Sequence, residues 1–264
     1  MQQTSTHPGD IIREWRRKRR LSQLDLALEA EISQRHLSFL ESGRSRPSRD
    51  MALALCERLD MPLRHRNRLL LAAGHAPDYA ERSLDSPHLK PAMDAVRRVL
   101  EAHMPSPAIA VDRLWNLQMA NGAAKRFLEL VTDPTLLEPP VNVLRLSLHP
   151  AGLAPLIANL GAWRTHLLHR LARLNDTHAD PQLEALEQEL RSLPGQGERL
   201  HGDPLAGDIA VPLTLQLGDV RLSFISTVTM FGTPLEVTLS ELAIESFFPA
   251  DDATAAYLRA GMAG

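Results

Sequence analysis

Four consecutive side chains, Ser33-Gln34-Arg35-His36, set several kinds of hydrogen-bonding group beside one another ahead of an apolar-periodic stretch. Gln matches the edge of adenine and Arg that of guanine, each through two hydrogen bonds. Ser38, one turn further on, falls on the same side but is short. His36 reads as a phosphate contact or a solvated side chain. Gln23 opens an earlier helical stretch, where it can donate to a phosphate, and Arg44 and Arg46 follow in a loop suited to clamping a nucleic-acid backbone. Glu41 reads as a structural bond or salt bridge, and Trp15 as core. The run Arg16–Arg20 reads as a solvated helix face, with weak phosphate contacts as the alternative.

These groups need a scaffold of short helices, and the pattern over residues 10–73 supplies five. Ile11, Ile12 and Trp15 give the first apolar stripe. Ser22 with Asp25 resembles a capping box ahead of Leu24, Ala27 and Leu28. After a break at Glu31-Ile32, Ser33 caps a helix with Leu37 and Leu40 facing inward, ended by Ser42-Gly43. Pro47-Ser48 and Pro62 start the fourth and fifth helices, and Gly74 closes the last. Helix, tight break, helix over residues 22–42 is the layout of a helix-turn-helix, whose second helix offers a polar edge to a DNA groove.

Residues 76–90, with Pro77 and Pro87, read as a linker between a domain at 1–75 and another at 91–264. The rear begins with a helix at Lys90–Ala102, then an extended piece from Ala108 to Met119 and a helix over Asn121–Val131. Helices follow at Ala158–Arg173 and Leu183–Leu193, then a loop-like stretch at 195–207. Two alternating runs about Gly218-Asp219 read as a hairpin, Phe231–Pro234 as a second turn, and Glu236–Leu239 as a further strand. The fold class is therefore two-domain: an all-α five-helix head and an α+β rear with an antiparallel sheet.

Charge divides the same way. Residues 1–75 hold fourteen Lys and Arg against nine Asp and Glu (+5), and the remainder fifteen against twenty-three (−8). A polyanion is the natural partner of the basic front. The lone Cys56 cannot form an internal disulfide, which fits a reducing compartment. With no visible secretory signal or apolar run of membrane-span length, the expected location is cytoplasmic, without membrane association. No nucleophile elbow, zincin motif, phosphate loop or dinucleotide fingerprint is present, so no enzyme and no cofactor are expected. His166 and His169 have helical spacing but no acidic or cysteine neighbours, so no metal site is expected either.

Two resemblances follow. The stretch LSQLDLALEAEISQRHLSFLESGRSRPS resembles the Xre-type helix-turn-helix family at Ser22-Gln23, Leu26-Ala27, Ile32-Ser33, Leu37 to Gly43 and Arg46-Pro47-Ser48. Glu31 stands where that family commonly has Gly; positive φ there would cost about 1 kcal/mol, so a slightly different turn is expected. The rear resembles the MmyB-like ligand-binding domain at Pro105–Ala108, Trp115-Asn116, Ala120-Asn121, Asn142–Pro150, Asn159-Leu160, Trp163, His166–Leu168, Phe231–Pro234 and Leu242–Asp251. Leu70–Gly74 and Ala76-Pro77 match the junction of such regulators. The resemblance implies a PAS-like sensor for a fatty-acid-like or other apolar small ligand. Such a pocket needs apolar walls, for which Trp115, Leu117, Met119, Trp163, Leu167, Phe224 and Phe231 are candidates. Arg145, His149 and His166 are candidate anchors for an acidic head group. The plainer readings stay open: the aromatics as core, and Asn116, Asn121 and Asn142 as caps and turn residues. The expected protein is a homodimeric transcription regulator bound to two half-sites of double-stranded DNA. The alternative is a regulator whose rear only dimerises or binds a protein partner.

Overall fold

Each of the first four helices starts where its own sequence supplies a cap. The computed structural model describes residues 7–178, 180–195, 211–230 and 236–261. His7 Nδ1 accepts from Gly9 N at 3.1 Å ahead of α1 (Pro8–Lys18). Ser22 and Asp25 cap α2 (Gln23–Glu29) reciprocally, Ser33 caps α3 (Gln34–Glu41), and Ser48 caps α4 (Arg49–Arg58). After Pro62 comes α5 (Leu63–Ala72). Caps of this kind contribute about 1 kcal/mol each. They fix where each helix begins, so that Ile12, Trp15, Leu26, Leu37, Leu55 and Leu69 meet in one core. A β-carbon on Gly9 would lie 2.3 Å from the Leu40 carbonyl oxygen, so the close approach of α1 to the end of α3 requires glycine. Gly43, at φ +79°, ends α3 in the left-handed conformation. Between α2 and α3, Glu31 itself adopts φ +56°. The expectation of a different turn is thus corrected: Glu31 accepts the strain, and Ile32 N closes the turn on Ala27 O at 2.9 Å.

The described residues through Arg82, together with 236–240, form one compact unit, and the rest form a second. Residues 77–82, inside the stretch read as a linker, are tied to the helical unit by Asn67. Its Oδ1 accepts from Asp78 N (3.0 Å) and Tyr79 N (3.1 Å), and its Nδ2 donates to Tyr79 O (2.6 Å).

The second unit opens with α6 (Lys90–Ala102), on its expected bounds. The piece expected to be one extended stretch is two strands, β1 (Ala108–Val111) and β2 (Leu117–Ala120), paired antiparallel. Asp112 Oδ1 makes the turn by accepting from Leu114 N (2.8 Å) and Asn116 N (2.9 Å), with Trp115 at φ +65°. Asn121 caps α7 (Gly122–Leu128) and Asn142 caps α8 (Val143–Leu148). Then come α9 (Leu160–His178), α10 (Pro181–Ser192), β3 (Leu213–Leu217) and β4 (Val220–Met230). The last two strands are the expected hairpin about Gly218-Asp219.

The strand expected at Glu236–Leu239 is not formed. Glu236 makes a single bridge to Ala80, and α11 (Val237–Ser240) follows. The cause is the Glu236 side chain, whose Oε2 accepts from Leu239 N at 2.8 Å and so starts a helical turn despite the β-branched Val237-Thr238. The fifth strand is instead β5 (Ala243–Pro249), before α12 (Asp252–Ala260). The sheet order is β2-β1-β5-β4-β3, antiparallel throughout. The turn expected at Phe231–Pro234 and most of the loop at 195–207 lie outside the described residues.

Candidate functional site

Along α3 the residues advance about 100° apiece, which divides its surface sharply. Leu37, Leu40 and Glu41 are buried, while Gln34, Ser38, Ser42, Arg35 and Phe39 fall on the other side, exposed or half-buried. Ser33 Oγ is engaged as the cap, accepting from His36 N at 3.1 Å, and the exposed His36 lies beside this stripe. Arg44 and Arg46 are exposed. Arg35 and Arg44 approach the same ring: their guanidinium carbons lie 5.4 and 5.5 Å from the Phe39 centroid. Phe39 thus organises the cationic edge, a role its apolar character concealed in the sequence.

Behind this edge sits a buried carboxylate. Glu41 accepts from Arg16 Nε at 2.6 Å and Nη2 at 2.9 Å. It also accepts from Gln23 Nε2 at 2.9 Å. Burial raises the Glu41 pKa, but the hydrogen bonds from Arg16 and Gln23 and the charges of Arg16 and Arg13 outweigh it and hold the group below its ordinary value. The Gln23 amide, expected on a phosphate, is engaged inside the protein instead. Arg16 is likewise structural, and so is Arg19, whose Nε donates to Leu59 O at 2.7 Å. Arg17 and Arg20 remain exposed.

In the second unit the sheet and the helices laid against it line an apolar cavity of about 110 Å³ that is partly open to solvent. Its walls include Ile109 of β1, Leu117 of β2, Trp163 and Leu167 of α9, Phe224 of β4 and Phe247 of β5. Four of the expected wall residues are therefore brought together: Leu117, Trp163, Leu167 and Phe224. Trp115 is buried but not on the wall, and Met119 is not on it either. Phe231 lies outside the described residues.

The three expected anchors do not face the cavity. Arg145 is paired with Glu189 through Nε at 2.6 Å and Nη2 at 2.8 Å. His149 Nδ1 accepts from Ala151 N at 3.1 Å. His166 stacks on Trp163, 5.4 Å between ring centroids, and burial with the nearby charges of Arg170 and His169 lowers its pKa to about 4. A neutral imidazole stacked on the core is a poor receptor for an acid.

Among the described residues the polar groups lining the cavity are Ser147, Arg170 and Glu245, of which the sequence reading singled out none. One signal was available: Arg170 continues the apolar i, i+4, i+7 stripe of Trp163 and Leu167, a charge on a face otherwise built for burial. Asn121 and Asn142 are structural. Asn121 Nδ2 donates to Leu100 O (3.0 Å) and Ser106 O (2.9 Å), and Asn142 Nδ2 donates to Leu114 O (2.7 Å). Cys56 is buried in the helical core, where burial pushes its thiol up to about 12.

Among the described residues no group of three or more His, Cys, Asp or Glu is placed to hold a metal ion. Nor is any helix there long and apolar enough to cross a membrane. Residues 12–65 match a helix-turn-helix family model, and residues 92–260 match the model of the MmyB-like transcription regulator ligand binding domain. A search of curated proteins found no match.

Proposed function

The chain belongs to the MmyB-like transcription regulators, a DNA-binding head joined to a ligand-binding domain, and on that premise we propose how the two parts act. Gln34 and Arg35 read base edges, with Ser38 beside them. Ser33, His36, Arg44 and Arg46 meet the phosphate backbone. Two copies of the chain bind two half-sites, because one recognition helix reads only a few base pairs. The ligand is small, largely apolar and fatty-acid-like, and it shifts the balance between two arrangements of the heads. A coupling of about 1–3 kcal/mol gives roughly 5- to 150-fold control. The protein acts by binding, without catalysis.

The observation that carries the ligand reading is the cavity. A domain serving only to dimerise has no use for unfilled apolar space between its sheet and helices, whose lining forgoes packing contacts. The sheet with an apolar inner face supports the PAS-like reading. The volume of about 110 Å³ is somewhat below the roughly 150 Å³ that accommodates benzene, so short chains fit first. Thermal melting of the full chain with straight-chain amphipaths of increasing length tests this. Stabilisation that rises as RT ln(1 + [L]/Kd) is expected, and no stabilisation by any of them would overturn the ligand reading.

A further inference from the structure

The three polar side chains that line the cavity among the described residues are unequally satisfied. Ser147 Oγ accepts from Trp163 Nε1 at 2.9 Å. Glu245 is 2 % exposed and accepts from Arg170 Nη1 at 2.8 Å. Arg170 Nη2 is buried and has no hydrogen-bond partner among the described residues. The guanidinium is held firmly nonetheless, its carbon 4.1 Å from the Trp115 ring centroid. Trp115 in turn sits in the left-handed conformation on the Asp112 turn, a strained backbone that the surrounding bonds maintain. The site is built: a fixed donor, one partner already in place, the Nη2 amino group unused, and apolar space alongside.

Accepting the ligand-binding reading, we propose that the occupant carries an uncharged head group with a hydrogen-bond-accepting oxygen, such as an amide, ester or alcohol, received by Arg170 Nη2. Glu245 already balances the arginine. A carboxylate would bring a second negative charge beside Glu245 in a poorly screened interior, where like charges repel strongly and desolvation is costly. A neutral oxygen satisfies the buried donor and leaves the site electrically balanced. The apolar chain of the fatty-acid-like reading stands, while its acidic head is replaced.

The test is calorimetric titration of the full chain near neutral pH with hexanamide, hexanoate and 1-hexanol. Hexanamide should bind at least about tenfold more tightly than hexanoate. Glu245→Gln leaves Arg170 unbalanced and should invert that order. Because this change disturbs a buried pair, Arg170→Met/Glu245→Gln serves as the second variant; without either charge it should bind the two within about twofold of each other. Hexanoate binding to the parent chain as tightly as hexanamide overturns this proposal and leaves the ligand reading standing. So does a tenfold preference that survives in the double variant. Absence of binding by all three probes overturns both.

Discussion

In the helical unit, Arg16 and Glu41 meet through two hydrogen bonds, and Gln23 occupies a further lone pair of the carboxylate. The sheet unit makes the same kind of pair from Arg170 and Glu245, joined by one hydrogen bond at 2.8 Å, and leaves Arg170 Nη2 without a partner beside a cavity. The chemistry is shared; the degree of satisfaction and the neighbouring space differ. Where both carboxylate oxygens are engaged by hydrogen bonds, three in all, the pair pins one helix to another. Where a donor is left over next to open apolar volume, the pair offers binding. Buried charge alone distinguishes neither case, and the satisfaction of each donor and acceptor does.

The largest effect should come from breaking the satisfied pair. Arg16→Met strands Glu41, whose side chain is 1 % exposed, and should cost about 3–5 kcal/mol in urea unfolding of the full chain. A loss under about 1 kcal/mol would mean that Gln23 and Arg13 suffice, and the pin is misassigned. The sign with pH follows from the depressed Glu41 pKa. Its contribution is present above the ordinary value near 4.3 and is lost as pH falls through the folded value. The variant should lack that acid-side loss.

Next in size is the cavity. Ala124 lines it, and Ala124→Leu should fill the space without touching either ion pair. At a ligand concentration 100 times the parent Kd, the stabilisation of about 2.7 kcal/mol should disappear, with operator affinity in the absence of ligand unchanged. Ligand stabilisation that persists in full would place the binding site elsewhere. Arg35→Ala should cost about 1–3 kcal/mol on the preferred duplex and relax preference at one base pair. Arg44→Ala should weaken all duplexes alike and lower the salt slope by about one. Equal losses on preferred and scrambled DNA for Arg35→Ala would remove it from base reading. Phe39→Leu removes the ring that both arginines approach and should cost about 0.5–1 kcal/mol in DNA affinity, with folding intact by circular dichroism.

An effect of similarly small size belongs to His166. Its folded pKa of about 4 lies below the unfolded value near 6.5. Stability is therefore full above 6.5 and falls as pH drops toward 4, because the unfolded chain takes up the proton first. For this half-buried ring the loss by about pH 5 should be near 1 kcal/mol, and His166→Gln should flatten the profile by that amount. Identical profiles for parent and variant would show that the ring is hydrated.

Much of this was legible from local rules. The capping box of Ser22 and Asp25, the cap at Ser33, the bounds of α6 and the hairpin at Gly218-Asp219 each depend on residues within a few positions of one another. The reading failed where the deciding partner is distant. Glu236–Leu239 has the β-branched look of a strand, but the distant Arg82 N and the Ala80 bridge hold Glu236 in place, where its other carboxylate oxygen starts a turn of helix at Leu239 N. The pair of Arg170 and Glu245 spans 75 positions, and neither residue signals the other. The expected anchors were exchanged for the same reason. Arg145 finds Glu189 across a helix pair, so the acid receptor proposed for it is already occupied by the protein's own acid.

Residues 236–240 also bear on how the chain is made. The core of the five helices draws on residues 11–70 and can close soon after they leave the ribosome. The strap at 80–82 must wait: Arg82 N finds its acceptor on Glu236, 154 positions later. At about 5–20 residues per second, translation imposes a delay of roughly 8–30 s. During that interval the nascent head is assembled but unfastened. It is sealed only after α6 to α10 and the hairpin of β3 and β4 have been synthesised, so a chain released early carries a head with its last clasp open.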